Sequence, residues 1–266
     1  MSTLTPRRLV LLMAVFSPAL SPAEPLDYFL HAAGPAASPA MHLGWGITAL
    51  CIAVLIIIAA LLWAALNRRR PPADSRELSK EGGGMVWIYI GTAASSAALF
   101  AALYYVLVVL WAGHQPSSVP SLTIAVTAYD WWWKVDYTDA ADPTQNFTTA
   151  NEIHIPAGIP VKIDLKSADV IHSFWVPRLA GKTQAIPGQT NTQWIQADTP
   201  GIYLGQCSQF CGAQHAHMGF EVVAQPRAEF EAWRASQLRR AAPPVDEIGR
   251  TGQKVFMARC AGCHTV

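Results

Sequence analysis

The spacing of apolar residues divides the chain into stretches of different character. Residues 43–66, in "LGWGITALCIAVLIIIAALLWAALNRRR", form an apolar run without a charge. A second uncharged run covers residues 85–113, "MVWIYIGTAASSAALFAALYYVLVVLWAG". Each exceeds the roughly 20 residues that cross a bilayer. Trp45, Trp63, Trp87 and Trp111 fall near the run ends, where aromatic side chains sit at the lipid–water boundary. These patterns predict a transmembrane hairpin, with helices at about 43–66 and 85–112 inside a segment 24–114. A shorter run comes first. "MSTLTPRRLVLLMAVFSPALSPAEP" has Arg7 and Arg8, about a dozen apolar residues, then Ser21-Pro22-Ala23, which is the layout of a signal peptide over residues 1–23.

After about residue 115 the period shortens. "SLTIAVTAYDWWWKVDY", "EIHIPAGIPVKIDLKS", "NTQWIQAD", "GIYLGQC" and "GFEVVAQP" are strand-like runs separated by turn residues. They predict an antiparallel sandwich or barrel over residues 115–236. On a strand, Trp131 and Trp133 would share one face and Trp132 would take the other. Helical spacing returns in "RAEFEAWRASQLRRA", with Phe230 and Trp233 on one face, and predicts a closing helix. Pro243-Pro244 marks a linker over 237–247, ahead of a short segment 248–266.

Charge adds an orientation. Arg68, Arg69, Arg70, Arg76 and Lys80 lie between the two apolar runs, and short basic loops stay in the cytoplasm. Both mature ends, and the β-domain, are therefore expected on the outer side of a bacterial inner membrane, as the signal peptide independently predicts. Only 14% of residues are charged and the formal net charge is +1, so nothing points to a nucleic-acid partner. The expected surroundings are membrane lipid and other membrane proteins.

The chemistry is concentrated in "CSQFCGAQHAHM", residues 207–218. Cys207 and Cys211 admit a disulfide, a zinc site or a copper site. Met218 favours copper, because zinc has no use for a thioether whereas thiolate, imidazole and weak thioether together make electron-transfer copper sites. Two cysteines point to two coppers bridged by both thiolates. His215 supplies one imidazole; a second could come from His154, His172 or His217. Cys51 lies in the first apolar run and reads as packing.

"DVIHSFWVPRLAGKTQAIPG" and "GIYLGQCSQFCGAQHAHMGFEVV" resemble the copper A domain of cytochrome c oxidase subunit II, and the likeness extends through the helix hairpin and the "WWW" cluster. The resemblance implies a cupredoxin-like all-β sandwich holding a dinuclear copper centre. Cys207 and Cys211 would bridge the metals, His172 and His215 would bind one each, and Met218 and the Gln209 backbone carbonyl would be weak ligands. His217 is then an ordinary loop histidine. Trp131 would be where electrons arrive from cytochrome c, although Tyr129-Asp130 replaces the His-Gln that commonly precedes it. Electrons would pass to haem in subunit I, where oxygen is reduced to water with proton translocation. Gln209 and Gln184 stand where the family commonly has acids that help to bind magnesium, so weak or absent magnesium is expected. The rival from another class is a membrane-anchored copper-delivery protein for oxidase assembly. It could also use C-x3-C and a distant histidine, but would need neither Met218 nor Trp131.

"CAGCH" is a c-type haem attachment signature, with Cys260 and Cys263 as thioether sites and His264 as axial ligand. Some subunit II proteins carry a fused cytochrome c domain. With two residues after His264, the expectation is a truncated domain whose stub packs little on the sandwich and holds no six-coordinate haem.

Overall fold

A computed structural model describes residues 29–68, 84–112, 116, 118–138, 141–239 and 242–261. The expected signal peptide, most of the basic loop, and the haem-signature residues Cys263 and His264 lie outside these residues.

Helix α1 (Ser38–Asn67) and helix α2 (Met85–Ala112) are the two apolar runs. Both are long and apolar enough to cross a membrane. α1 begins ahead of the apolar run at Ser38, because Pro39 is tolerated in the first turn, where backbone N–H groups have no helical partner. At 1.5 Å per residue, 30 residues make about 45 Å, so α1 extends beyond a hydrocarbon layer of about 30 Å.

The β-domain is a sandwich of two five-stranded sheets. One has the order β3-β2-β1-β5-β8, with β1 (Leu122–Tyr129), β2 (Trp132–Tyr137), β3 (Phe147–Ala150), β5 (Val161–Ser167) and β8 (Asn191–Ile195). The other has the order β4-β10-β9-β6-β7, with β4 (Glu152–Pro156), β6 (His172–Trp175), β7 (Thr183–Ala185), β9 (Gly201–Cys207) and β10 (Gly219–Gln225). The sequence pattern predicts antiparallel pairing, but β1–β5 and β4–β10 are parallel. Alternation fixes which residues face inward, not which strand lies alongside.

That alternation is strict where it matters. Ile124, Val126 and Ala128 of β1, Val135 and Tyr137 of β2, and Ile163 and Leu165 of β5 are buried between the sheets. Helix α3 (Arg227–Gln237) closes the β4–β10 edge with Phe230 and Trp233. Helix α4 (Glu247–Arg259) starts at Asp246, whose side chain accepts from the Gly249 N–H at 2.6 Å. Ile248, Val255 and Met257 on α4 are exposed.

Candidate metal centre

β6 and β9 are neighbours, with Phe174 opposite Cys207, so the strand that carries His172 lies beside the strand that ends in Cys207. His172 therefore begins a strand rather than sitting in a loop, which the sequence could not show because only four residues pair there. The Ser208 N–H donates to Ser173 O at 2.9 Å and the Cys207 N–H donates to Met218 O at 3.0 Å. These bonds hold both ends of the 207–218 loop against the sheet. Gly212 has a φ of 120°, a conformation that favours glycine, and a Cβ there would lie 3.1 Å from the Trp131 ring.

Six donors converge. Cys207 and Cys211 Sγ are 3.8 Å apart and both are free thiols, so the disulfide alternative does not apply. His172 Nδ1 is 3.9 Å from Cys207 Sγ and His215 Nδ1 is 3.4 Å from Cys211 Sγ. Met218 Sδ lies 3.7 Å from Cys211 Sγ, and the Gln209 carbonyl oxygen 3.1 Å from Cys207 Sγ. His172, Cys207 and Cys211 bring their ligand atoms within 4.8 Å of one another. His217 is exposed and pairs with Gln214 Oε1 at 2.7 Å, outside the cluster. His154 is buried beneath α3, with Nδ1 2.7 Å from Gln225 Oε1.

The donor set suits copper: two soft sulfurs, two imidazole nitrogens, a thioether and a carbonyl. The Cys211 thiol is pushed up to about 12, first by burial and then by the neighbouring Cys207. Two thiolates this close in an apolar pocket need a cation between them, which the site is arranged to receive.

A supporting carboxylate was not foreseen from the sequence. Asp169 Oδ1 lies 2.8 Å from His172 Nε2. Held that way, Nε2 carries the proton and Nδ1 presents its lone pair to the thiolate side. The other Asp169 oxygen accepts the Asp130 N–H at 2.7 Å, tying the turn before Trp131 to the same carboxylate. Partial burial pushes the Asp169 carboxyl up, and hydrogen bonds from His172, the Val170 N–H and the Asp130 N–H more than reverse this, leaving it below its ordinary value. The available signal was an acid three residues before a candidate ligand histidine.

Trp131 does not occupy a strand. It stands in the turn between β1 and β2, half-buried, and its Nε1–H donates to Cys211 O at 3.1 Å. The expectation that Trp131 and Trp133 share a strand face is corrected accordingly, because the hairpin reverses at Asp130-Trp131 and alternation starts only at Trp132. Trp133 is buried, with its ring edge-on to His172, Phe174 and Phe220. Trp132 faces outward and stacks on Tyr129.

Residues 140–225 match the family described as cytochrome c oxidase subunit II, periplasmic domain. That match lies within the β-domain. Over 144 residues, 54% of this chain, it is 39% identical to cytochrome c oxidase subunit 2 of Alkalihalophilus pseudofirmus. Over 154 residues, 55% of this chain, it is 31% identical to cytochrome c oxidase subunit 2 of Bacillus sp. strain PS3. The matched regions make up 41% and 42% of those relatives, so the chain spans less than half the length of the curated relatives it matches. Among solved structures, the periplasmic domain of subunit II of cytochrome oxidase of Bradyrhizobium japonicum is similar, at 29% identity and a TM-score of 0.43, over 46% of this chain and 96% of that one. The family implies a copper A centre, and the grouped His172, Cys207 and Cys211 fit it. Ahead of the matched region the chain has two helices long and apolar enough to cross a membrane, as expected of a membrane-anchored protein.

Proposed function

We propose that this chain is the electron-accepting subunit of a haem-copper cytochrome c oxidase. It takes electrons from cytochrome c at a copper A centre and hands them to haem in subunit I, where oxygen is reduced. The observation that carries this reading is the meeting of both thiols with His172 Nδ1, His215 Nδ1, Met218 Sδ and the Gln209 carbonyl in one pocket. When bound, a copper pair would supply a one-electron relay whose charge is spread over two metals.

The chain's own residues do the rest. Cys207 and Cys211 would bridge the pair, His172 and His215 would each bind one metal, and the Met218 thioether and Gln209 carbonyl would act as weak ligands that tune potential. Asp169 holds the His172 ring in the tautomer that leaves Nδ1 free. The buried aromatic group of Trp133, Phe174 and Phe220 excludes water behind the histidine and holds it rigid. Trp131, joined to the ligand loop through the Cys211 carbonyl, is the residue through which electrons would arrive. The basic residues between the two apolar runs support a periplasmic location for the β-domain. Domain limits follow the sequence reading: signal peptide 1–23, hairpin 24–114, copper domain 115–236, linker 237–247, and a cytochrome c-like beginning at 248–266.

Gln209 and Gln184 each present a neutral amide where the family commonly has an acid, so an interfacial magnesium ion is expected to bind weakly or not at all. EPR of manganese-exchanged enzyme tests this, and a tightly held ion would overturn it. Cys260, Cys263 and His264 are the residues that would take haem c, and a low-spin c-type band after expression with haem-attachment machinery would establish that role.

The deciding experiment is EPR of the copper-loaded chain. One unpaired electron shared by two copper nuclei, with a purple colour, is expected. A single-copper hyperfine pattern, or colourless copper(I) readily given up to acceptors, would favour a copper-delivery protein instead.

A further inference from the structure

The segment ahead of α1 connects the helix to the β-domain: Leu30 O accepts from the Trp45 Nε1–H of α1 at 3.1 Å, and residues from His31 onward lie against the sandwich. The Ala33 N–H donates to Arg178 O at 2.7 Å, and Ala33 O accepts from the Asp198 N–H at 2.8 Å. One residue thus bridges the turn after β6 and the segment after β8. Gly34 is buried so closely against this bridge that a Cβ would fall 1.9 Å from Gln196 O, a backbone atom with no room to give. Arg178 Nε donates to His31 O at 3.0 Å, and its guanidinium lies over the Tyr203 ring, 5.3 Å from the centroid. Ala37 is buried as well, and α1 starts at the next residue. The Tyr105 hydroxyl of α2 donates to Pro39 O at 3.3 Å, joining the second helix to the same point.

α2 ends at Ala112 and β1 begins at Leu122, leaving residues 113–121 between them. Nine extended residues can reach about 30 Å, so the length of that connection does not by itself specify an orientation. The turn gripped by Ala33 and His31 also leads directly out of β6, the strand that begins with His172.

We propose that residues 29–37 are a strap that locks the β-domain to the membrane hairpin in one orientation, with Gly34 and Arg178 as positioning residues for onward electron transfer. The strap itself rests on geometry alone; its role in electron transfer rests on the copper reading above. The small side chains of residues 32–37 let the backbone lie flush on the sandwich, and Gly34 is required by the approach itself. A relay is sensitive to the separation of donor and acceptor, because the electronic coupling that carries the electron falls off exponentially with distance. A strap that enters α1 without a linker removes that freedom.

The test uses the full chain, copper-loaded, in lipid nanodiscs. Spin labels carried on encoded keto residues replace Leu50 in α1 and Thr148 in β3, both exposed. The unsubstituted strap should give a single narrow distance distribution. Gly34→Val and Arg178→Ala should each at least double its width and leave the copper spectrum unchanged. Arg178→Ala removes the contacts to His31 and Tyr203 without adding bulk beneath the strap, which keeps the test open if the valine variant does not fold. In the assembled oxidase, the same variants should accept electrons normally and pass them on more slowly. Unchanged widths in the variants, or a broad distribution with the strap intact, would overturn the proposal. So would loss of the copper spectrum in Arg178→Ala, since the segment would then be part of the site's own fold. A narrow distribution with no copper A signal would sink the copper reading and leave the strap in place.

Discussion

Asp169 illustrates how much of this site depends on residues that bind no metal. It accepts from His172 and from the Asp130 N–H, so one carboxylate sets both the ligand tautomer and the turn that presents Trp131. Asp169→Asn keeps the shape but removes the charge that orients the imidazole. Copper affinity should fall about 10–100-fold, read by competition with a chelator of known affinity. Trp131 is argued from a different contact. Trp131→Phe removes the hydrogen bond to the Cys211 carbonyl, worth about 1 kcal/mol, but keeps an aromatic ring. Its copper spectrum should persist while reduction by cytochrome c slows at least about tenfold in stopped flow. Trp132→Phe should leave that rate unchanged, because Trp132 points outward and stacks on Tyr129. Equal rates in both variants would leave Trp131 as packing alone.

At the scale of elements, α3 is held by one side chain more than any other. The Trp233 ring stacks on His154 at 3.8 Å between centroids and meets Tyr137 and Phe147 edge-on. The Tyr137 hydroxyl accepts the His154 N–H at 2.7 Å and donates to His154 O at 3.0 Å; burial raises its pKa, so it stays protonated and donating. Trp233→Ala leaves a cavity over this layer and should cost about 2–4 kcal/mol, seen as a lower urea midpoint. α3 follows the C-terminal end of β10, whereas the loop that carries Cys207, Cys211, His215 and Met218 leads into the start of that strand. The copper absorption should therefore survive the substitution in the folded fraction. An equal loss of copper binding would mean that the two ends of β10 are coupled through the core.

At the scale of the whole molecule, the described parts depend on one another unequally. The hairpin, the strap and the sandwich are joined by backbone hydrogen bonds and a close glycine approach. By contrast, α4 exposes Ile248, Val255 and Met257, and the groove along it is lined by its own residues, Thr251, Val255 and Phe256 among them, with Cys260 just beyond its end. Ending the chain at Val245 should leave the copper EPR signal, the urea midpoint of the sandwich and electron acceptance unchanged. A loss in any of these would show that α4 supports the β-domain.

The sequence alone determined whatever depends on local pattern. Two uncharged runs can only be long apolar helices, alternation marks the inward faces of β1, β2 and β5, and residues 207–218 carry four of the side chains that meet in the pocket, as well as the Gln209 carbonyl. Met218 could be singled out because a thioether has few reasons to sit beside two thiols. The resemblance chose His172 over His217, and only the fold could place it physically: 35 residues separate it from Cys207, and the β6–β9 pairing closes that gap. The same holds for the parallel pairs, for the reversal at Asp130-Trp131 that takes Trp131 off the strand, and for Asp169. The strap is the clearest case. "AAGPAAS" reads as featureless small residues, and its meaning appears only where Gly34 meets a backbone carbonyl 162 positions later in the chain, at Gln196. Periodicity reports the face a residue turns to the core; it carries no information about which distant backbone will lie against it.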